Sequence, residues 1–391
     1  MMNFEITQDQ LMLKEGVRKI GKDFGLDYWR EKDDKHEFVD ELWSELGKNG
    51  YIGVAISEEY GGAGLGLIEM AMVIEELAKS GAGSTVGQLF MLTPVFGGVT
   101  IELHGSETQK REYLPKIASG EMNFCMALTE PNAGSNSLEI TTFARKDGDH
   151  YIISGQKIWI SGVDVADKML LVARTTKKED VQRKTEGISL FLVDAKDPAI
   201  TTQAIEKVGT HCVQSDTVFI ENLKVHKDCL IGEEGKGWSY LVDTLNAERI
   251  VTTAGLVGTG KLATKLAVDY SKERVVFNNT PIGAYQGLQF PLAELSAEID
   301  VAQLMNYKAA WLYDQSLPNA AEANTAKLIA GKAAFGLCDR AMQIMGGYGY
   351  AKEYHIERIW RDVRLFKIAP VSEEMILNFI AQHNLGMPRS Y

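Results

Sequence analysis

The stretch FCMALTE at residues 124–130 decides the fold, because the pattern of the chain changes there from helical to strand-like. From this point the chain carries a series of short runs rich in β-branched and aromatic residues, a pattern typical of a β sandwich or barrel. The Asp-Gly pair in DGDH, residues 147–150, predicts a tight hairpin. The remaining runs are HYIISGQKIWIS (150–161), KMLLVART (168–175), GISLFLVDA (187–195) and DTVFIENLKV (216–225).

Helical patterns flank this strand-rich region on both sides. On the N-terminal side, Thr7 is placed to cap a helix, and further helices are predicted within residues 37–50, 68–83 and 106–121. The predicted apolar face of the first helix comprises Leu11, Met12, Val17, Ile20 and Phe24.

The C-terminal boundary of the strand-rich region lies at GEEGKGW, residues 232–238, and the pattern beyond it is again helical. Helices, then strands, then helices define an α+β fold of segregated units and exclude a regular βαβ wind. We therefore expect three domains: residues 1–121, helical; 122–232, β; and 233–391, helical.

Composition narrows the function classes. The chain has 391 residues, with 41 Lys and Arg against 53 Asp and Glu, and its formal net charge is −12. This acidic balance argues against a nucleic-acid-binding or anionic-membrane-binding surface. The four cysteines are scattered without metal-ligand spacing, and neither His211 nor His355 has a second His or Cys at such spacing, so no metal site is predicted.

The sequence also gives expectations about location. MMNFEITQDQ at the N-terminus has no basic stretch followed by an apolar core, and the apolar runs read as too short to span a bilayer. We expect a cytoplasmic protein without stable membrane association, and a processed organellar form fits the same observations.

Two segments combine glycines with polar residues. ALTEPNAGSN, residues 127–136, joins a strand end to a Pro turn with small residues. QIMGGYGY, residues 343–350, is followed by Glu353, Arg358 and Asp362. Each alone is consistent with an ordinary turn or helix end, and each also lets the backbone approach a flat or phosphorylated ligand closely.

Together and in this order, the two segments resemble the signatures of the acyl-CoA dehydrogenase flavoproteins. The first departs only at Asn136, where Asp is usual, and the second fits at every constrained position. GQKIWISG, residues 155–162, is similar to the family strand whose Trp and following hydroxyl residue lie against the flavin. The resemblance extends over essentially the whole chain.

The resemblance implies an N-terminal α-helical domain, a middle β-barrel-like domain and a C-terminal four-helix bundle. It also implies bound FAD, an acyl-CoA substrate, an electron-transferring flavoprotein as partner, and a homotetramer whose flavin sites a neighbouring subunit completes. Residues 126–135 and 159–161 are expected to enclose the flavin ring, and Arg274, Phe277, Gln286 and the loop at 343–347 to reach the FAD of another subunit. The residues expected to contact FAD are Met126, Leu128, Thr129, Gly134, Ser135, Trp159, Ser161, Arg274, Phe277, Gln286, Gln343, Gly346, Gly347, Val371 and Glu373.

The position of the catalytic base departs from the commonest family pattern. Many members carry a Glu late in the chain, where this sequence has Ala369, and Val371 replaces the usual Thr. A branch resembling isovaleryl-CoA and long-chain acyl-CoA dehydrogenases carries the base in an earlier Glu-Arg pair, which matches Glu248 and Arg249. We expect Glu248 to remove the α proton and the Ala369 N–H to bind the thioester oxygen.

By the same resemblance, Ser135, Asn246 and Arg249 are expected to contact the substrate. The predicted reaction is α,β-dehydrogenation of an acyl-CoA to a trans-2-enoyl-CoA. The alternatives are an enoyl-CoA reductase, an oxidase or monooxygenase of the same fold, or a non-catalytic flavin- or acyl-CoA-binding subunit.

Overall fold

The computed structural model describes residues 5–390. The outermost residues of the first and third predicted domains therefore lie outside the described residues, as does part of the N-terminal stretch MMNFEITQDQ. Within these limits the chain forms an N-terminal helical domain, a middle β domain and a C-terminal helical domain. The predicted α+β fold is confirmed.

The first helix begins as predicted, but its buried face is narrower. Thr7 forms a capping box with Gln10, which satisfies backbone N–H groups at the helix start. Val17 is buried, whereas Leu11 and Met12 are exposed, so the buried side of the helix does not include all of the predicted apolar face. The N-terminal helices are α1 (Gln8–Asp23), α2 (Leu26–Lys35), α3 (Asp40–Lys48), α4 (Leu67–Leu77), α5 (Thr85–Phe90), α6 (Thr100–His104) and α7 (Glu107–Ala118).

Helices α5 and α6 are joined by a π-helical stretch, Met91–Val99, into one continuous helical segment. By length and composition, Thr85–His104 is apolar enough to cross a membrane, which corrects the expectation that every apolar run is too short. Of the tested window, 78% is buried inside the protein, as in the core helix of a folded domain.

The middle domain is a largely antiparallel sheet in the order β6-β7-β3-β2-β4-β5-β8, with β1 parallel to β4. The predicted hairpin is present, since Asp147 pairs with His150 at its turn. The strands are β1 (Phe124–Ala127), β2 (Phe143–Asp147), β3 (His150–Ser161), β4 (Lys168–Arg174), β5 (Ile188–Asp194), β6 (Ile200–Ala204), β7 (Ser215–His226) and β8 (Leu230–Ile231).

The C-terminal domain consists of three long helices that pack on one another, with shorter helices beside them. A small two-stranded ribbon separates the first two long helices. These elements are α8 (Gly237–Glu273), β9 (Val275–Val276), β10 (Thr280–Pro281), α9 (Gln286–Asp314), α10 (Ala320–Met345), α11 (Ile356–Arg364) and α12 (Glu373–Phe379).

Helix α8 joins the two helical domains by packing along the segment 85–104. Glycines at the crossing allow close approach: a Cβ on Gly87 would lie 3.1 Å from the Val251 carbonyl oxygen, and one on Gly255 3.2 Å from the Gly87 Cα. Further along, the buried hydroxyls of Thr100 and Thr244 lie 2.8 Å apart. This antiparallel contact fixes where the side chains of α8 point.

Candidate active site

Glu248 lies on α8 and is buried, with 3% of its surface exposed. Its Oε2 atom has no hydrogen-bond partner. Burial raises the pKa of Glu248 to about 7, against the opposing effect of the positive charges of Arg249 and Lys327. An unpaired buried carboxyl with such a pKa exchanges protons near neutrality, as a general base must.

The neighbours of Glu248 along α8 show which way its side of the helix faces. Leu245, one turn earlier, packs against the apolar cluster that contains Leu128 of the β domain. Residues three or four apart lie on the same helix face, so Glu248 and Thr252 continue this side. Thr252 is also buried, and its hydroxyl has no partner. This side of α8 thus carries polar groups between the helical and β domains.

Arg249 and Asn246, both expected to contact substrate, bond to each other. The Arg249 Nη1 atom donates to Asn246 Oδ1 at 2.8 Å and to the Leu245 carbonyl at 3.2 Å. The Arg249 Nε atom is buried and has no partner. Burial lowers the pKa of Arg249, while Glu248 acts to raise it. Arg249 therefore keeps a free donor beside Glu248.

A buried lysine on α10 connects Glu248 to the late loop. The Lys327 ammonium donates to the carbonyls of Phe366 and Val371, at 2.6 and 2.7 Å. Burial lowers the pKa of Lys327 to about 8, opposed by Glu373 and Glu248. Lys327 was not among the predicted site residues, because an isolated Lys in a helical pattern is ordinarily exposed.

The expected role of Ala369 is not supported. Its N–H donates to the Leu365 carbonyl at 2.9 Å, so it is already occupied and is not available to a thioester oxygen in this conformation. Val371 is held through its carbonyl by Lys327. Glu373 begins α12 and pairs with Lys367 at 3.1 Å. In this conformation the loop therefore offers neither a free N–H at Ala369 nor an unpaired carboxylate at Glu373.

Trp159 lies at an irregularity of the sheet. The register of β3 against β7 shifts between Lys157 and Ile160, and Trp159 has a φ of 61°. Positive φ is unusual for so bulky a residue, and bulges commonly redirect a side chain. The indole is 56% exposed. The bulge therefore presents a flat aromatic surface outward, which suits a planar ligand.

Lys157 fixes the β1 end next to this surface. Its ammonium donates to Glu130 Oε1 and to the Leu128 carbonyl, both at 2.9 Å. The Leu128 side chain is buried in the core, so only the Leu128 backbone is left to contact a cofactor. Met126 and Thr129, by contrast, are partly exposed.

The turn after β1 is open. Gly134 and Ser135 are exposed, and a Cβ on Gly134 would meet no atom within 4 Å. Glu130 and Ala133 close the turn through a pair of backbone hydrogen bonds, at 3.2 and 3.0 Å. Small, exposed residues on a fixed turn leave room for a ligand close to the backbone.

Ser161, at the end of β3, belongs to a hydrogen-bonded cluster. Its Oγ lies 3.0 Å from Ser215 Oγ and 3.2 Å from Gln88 Nε2. Lys207 Nζ lies 3.2 Å from Ser215 Oγ. Sequence reasoning identified Ser161 but neither of its two partners, Ser215 and Gln88, nor Lys207, which contacts Ser215.

A second group of predicted residues gathers at the other end of α8. Arg274, directly after the helix, lines a cavity of about 610 Å³ together with Gly346 and Gly347. A Cβ on either glycine would meet no atom within 4 Å. A guanidinium beside open glycine backbone suits a diphosphate. The remaining predicted residues are Gln343 in the last turn of α10, Gln286 at the start of α9 and Phe277, which is 82% exposed.

The two groups are far apart within one chain. Positions 248 and 274 are joined by continuous helix, and at about 1.5 Å per residue they lie roughly 39 Å apart. Arg274 therefore does not act on the atoms that Glu248 reaches.

Family models match nearly all of this chain. The acyl-CoA dehydrogenase N-terminal domain matches residues 7–121, the middle domain 125–223 and the C-terminal domain 235–385. The chain belongs to the acyl-CoA dehydrogenase family, a class of FAD-dependent oxidoreductases. The outward indole, the open turn and the Arg274 cavity fit FAD.

Among individual relatives, the chain is 41% identical to the acyl-CoA dehydrogenase FadE12 of Mycobacterium tuberculosis, covering 100% of this chain and 99% of the relative. It is 35% identical to the 3-(aryl)acrylate reductase of Clostridium sporogenes, over 95% and 98%. The structure of a glutaryl-coenzyme A dehydrogenase glutaryl-CoA complex superposes with a TM-score of 0.94 at 31% identity, over 100% and 98%.

Proposed function

We propose that this protein dehydrogenates an acyl-CoA thioester between its α and β carbons and that Glu248 is the base. The observation that carries the proposal is the buried, unpartnered Oε2 of Glu248, whose pKa is raised to about 7. A carboxylate stripped of water and without a hydrogen bond is a stronger base than one on the surface.

The residues around Glu248 have separate roles in this proposal. Glu248 accepts the α proton, and the nearby charges of Arg249 and Lys327 keep part of the carboxyl population ionised near neutral pH. The apolar packing of Leu245 excludes water from that side. FAD, when bound, supplies the acceptor for the hydride that leaves the β carbon. The product is a trans-2-enoyl-CoA.

The assembly is part of the same proposal. Because Arg274 lies roughly 39 Å along α8 from Glu248, its cavity is proposed to hold part of an FAD whose ring lies in another subunit. The exposed Phe277 beside it supports a contact with a second copy. We propose a homotetramer that passes electrons to an electron-transferring flavoprotein.

Glu248→Gln tests the base assignment. Mixed anaerobically with a panel of straight, branched and cyclic acyl-CoA thioesters, the wild type is expected to lose its flavin absorbance with at least one of them. The variant is expected to keep bound FAD but to bleach more slowly by about 10²- to 10⁴-fold. Glu374→Gln, a change at an exposed residue, is the matched control. Bleaching at the wild-type rate in Glu248→Gln would remove the assignment.

A second candidate function is the reverse reaction, reduction of an enoyl thioester. It is favoured by the relative named 3-(aryl)acrylate reductase. In that case Glu248 would deliver a proton to the α carbon instead of accepting one. The preferred direction is tested by mixing chemically reduced enzyme with enoyl-CoA thioesters, with and without an electron-transferring flavoprotein, and measuring the rate of flavin reoxidation. Faster reoxidation by the enoyl-CoA favours reduction, and faster reoxidation by the flavoprotein favours dehydrogenation.

A further inference from the structure

In the cluster at the end of β3, the hydrogen bonds run in a defined order from donor to acceptor. Ser161 and Ser215 are directly opposite each other at the last position of the β3–β7 ladder. Lys207 lies just beyond β6, which pairs with β7 on its other side. The three side chains therefore form a row at one end of the sheet, from Lys207 in the segment after β6, through Ser215 of β7, to Ser161 of β3.

Lys207 is anchored at the start of this row. Its ammonium donates to the carbonyls of Val213 and Thr210 as well as to Ser215 Oγ. Burial lowers the pKa of Lys207 to about 8, against the opposing effects of Asp362 and other carboxylates, so the group is mostly charged at neutral pH. An ammonium has only donor protons, so Ser215 Oγ must accept from it.

The next hydrogen bond has Ser215 as its donor and Ser161 as its acceptor. Ser215 is buried, and the acceptor that the described hydrogen bonds place beside its own proton is Ser161 Oγ, at 3.0 Å. Gln88 Nε2 also donates to Ser161 Oγ, at 3.2 Å. A hydroxyl has two acceptor positions and one proton. With both acceptor positions filled, the proton of Ser161 is left for a group outside the cluster, and Ser161 is partly exposed.

We propose that Lys207, through Ser215, fixes Ser161 as a hydrogen-bond donor to a ring atom of the flavin that is an acceptor only in the oxidised state. This inference rests on the proposed function and on a flavin ring beside Ser161 and Trp159, which the family resemblance implies; what it adds is the role of Lys207 and Ser215. Lys207 and Ser215 are positioning residues, since they act through Ser161. Because a fixed donor pairs only with an acceptor, the cluster stabilises oxidised over reduced flavin and makes the midpoint potential more negative.

The test is a double-mutant cycle on the holoenzyme without acyl-CoA, with the flavin midpoint potential as the readout. Ser161→Ala and Ser215→Ala are each expected to change the affinity ratio of oxidised to reduced flavin about fivefold. For a two-electron couple this is a shift of about 20 mV to less negative potential. The double variant is expected to shift no further than either single variant.

Two further variants isolate the role of Lys207. Lys207→Met removes a charge as well as a donor, so its effect is expected to differ between the wild-type and Ser161→Ala backgrounds by about the same fivefold. Thr210→Val removes a hydroxyl that also contacts Lys207, at 3.3 Å, but does not lie between Lys207 and Ser161, and it is expected to leave the potential unchanged.

Additive shifts of Ser161→Ala and Ser215→Ala, or an unchanged potential in Ser215→Ala, would overturn the inference. The outcome is separate from that of the proposed function, because no measurement in the cycle requires substrate or Glu248. Wild-type bleaching in Glu248→Gln together with non-additive potentials would refute the proposed base and leave the donor row intact.

Discussion

Lys157 and Glu130 form an ion pair 2.9 Å long in the interior of the protein, between the middle of β3 and the turn that follows β1. Both side chains are buried. Burial would raise the pKa of Glu130, but Lys157 and the hydrogen bonds from Thr141 and Thr142 lower it to about 2. Burial lowers the pKa of Lys157 to about 8. The pair attaches the open turn at 131–136 to the strand that carries Trp159.

Removal of one partner tests this attachment. Lys157→Met leaves a buried carboxylate without its cation, and we expect a loss of about 3–5 kcal/mol in the free energy of unfolding, together with weaker FAD binding. Lys196→Met, which breaks an exposed pair with Asp167, is expected to change stability by less than about 1 kcal/mol. Urea unfolding and FAD retention on gel filtration measure both. Equal effects of the two variants would contradict a structural role for Lys157.

The same pair predicts an acid limb of stability. The pKa of Glu130 is lower in the folded protein than its ordinary value of 4.5. The ionised Glu130 therefore makes its full contribution to the free energy of unfolding at pH values above 4.5. This contribution is lost as pH falls from about 4.5 towards 2. Urea midpoints across this range should fall more steeply in the wild type than in Lys157→Met, which lacks the largest of the effects that lower the pKa of Glu130. Parallel curves would argue against it.

Activity is expected to follow the ionisation of Glu248. The base must be deprotonated, so kcat/KM should rise with pH in proportion to hydroxide concentration and level off above about pH 7. The free energy of unfolding is expected to change with pH in the opposite direction to kcat/KM. The folded state holds this proton more tightly than the unfolded chain, so stability falls as pH rises from about 4.5 to 7. Glu248→Gln is therefore expected to be more stable than wild type at pH 8, by on the order of 3 kcal/mol. An activity limb centred near pH 4.5 would show that Glu248 is not the titrating base.

Lys327→Met tests the connection between Glu248 and the late loop. Loss of the cation removes one of the two charges that lower the pKa of Glu248, so the activity limb should move to higher pH. The carbonyls of Phe366 and Val371 also lose their donor, and we expect the free energy of unfolding to fall by about 2–3 kcal/mol. Lys332→Met, also on α10, is the control, since no described hydrogen bond or ion pair involves its side chain. A limb that does not move would separate Lys327 from the base.

A contact between domains gives the last prediction. Arg361 of α11 donates to the buried Asp33 of α2 at 2.8 Å, and His211 of the β domain lies 3.3 Å from the same carboxylate. Arg361→Met leaves Asp33 without its strongest partner and should lower the free energy of unfolding by about 3 kcal/mol. Arg183→Met, at an exposed residue, should change it by less than about 0.5 kcal/mol. Thermal unfolding of both variants measures the difference.

Local patterns in the sequence were sufficient for the α+β fold, with a β domain between two helical domains, and for several details. The Thr7 cap and the hairpin at 147–150 depend on neighbouring residues only, so they could be predicted from the chain itself. The resemblance to a family also pointed to Glu248, and the structure shows that its carboxyl is buried.

What only the tertiary structure decided is which partner each buried group has. Leu11 and Met12 fit a helical period yet are exposed, because the packing of α1 buries a narrower stripe. The Ala369 N–H is taken by Leu365, and Lys157, Lys207 and Lys327 are buried although lysines are ordinarily exposed. Periodicity and turn chemistry act over a few residues, whereas desolvation and hydrogen bonding of a buried charge depend on elements brought together from distant parts of the chain.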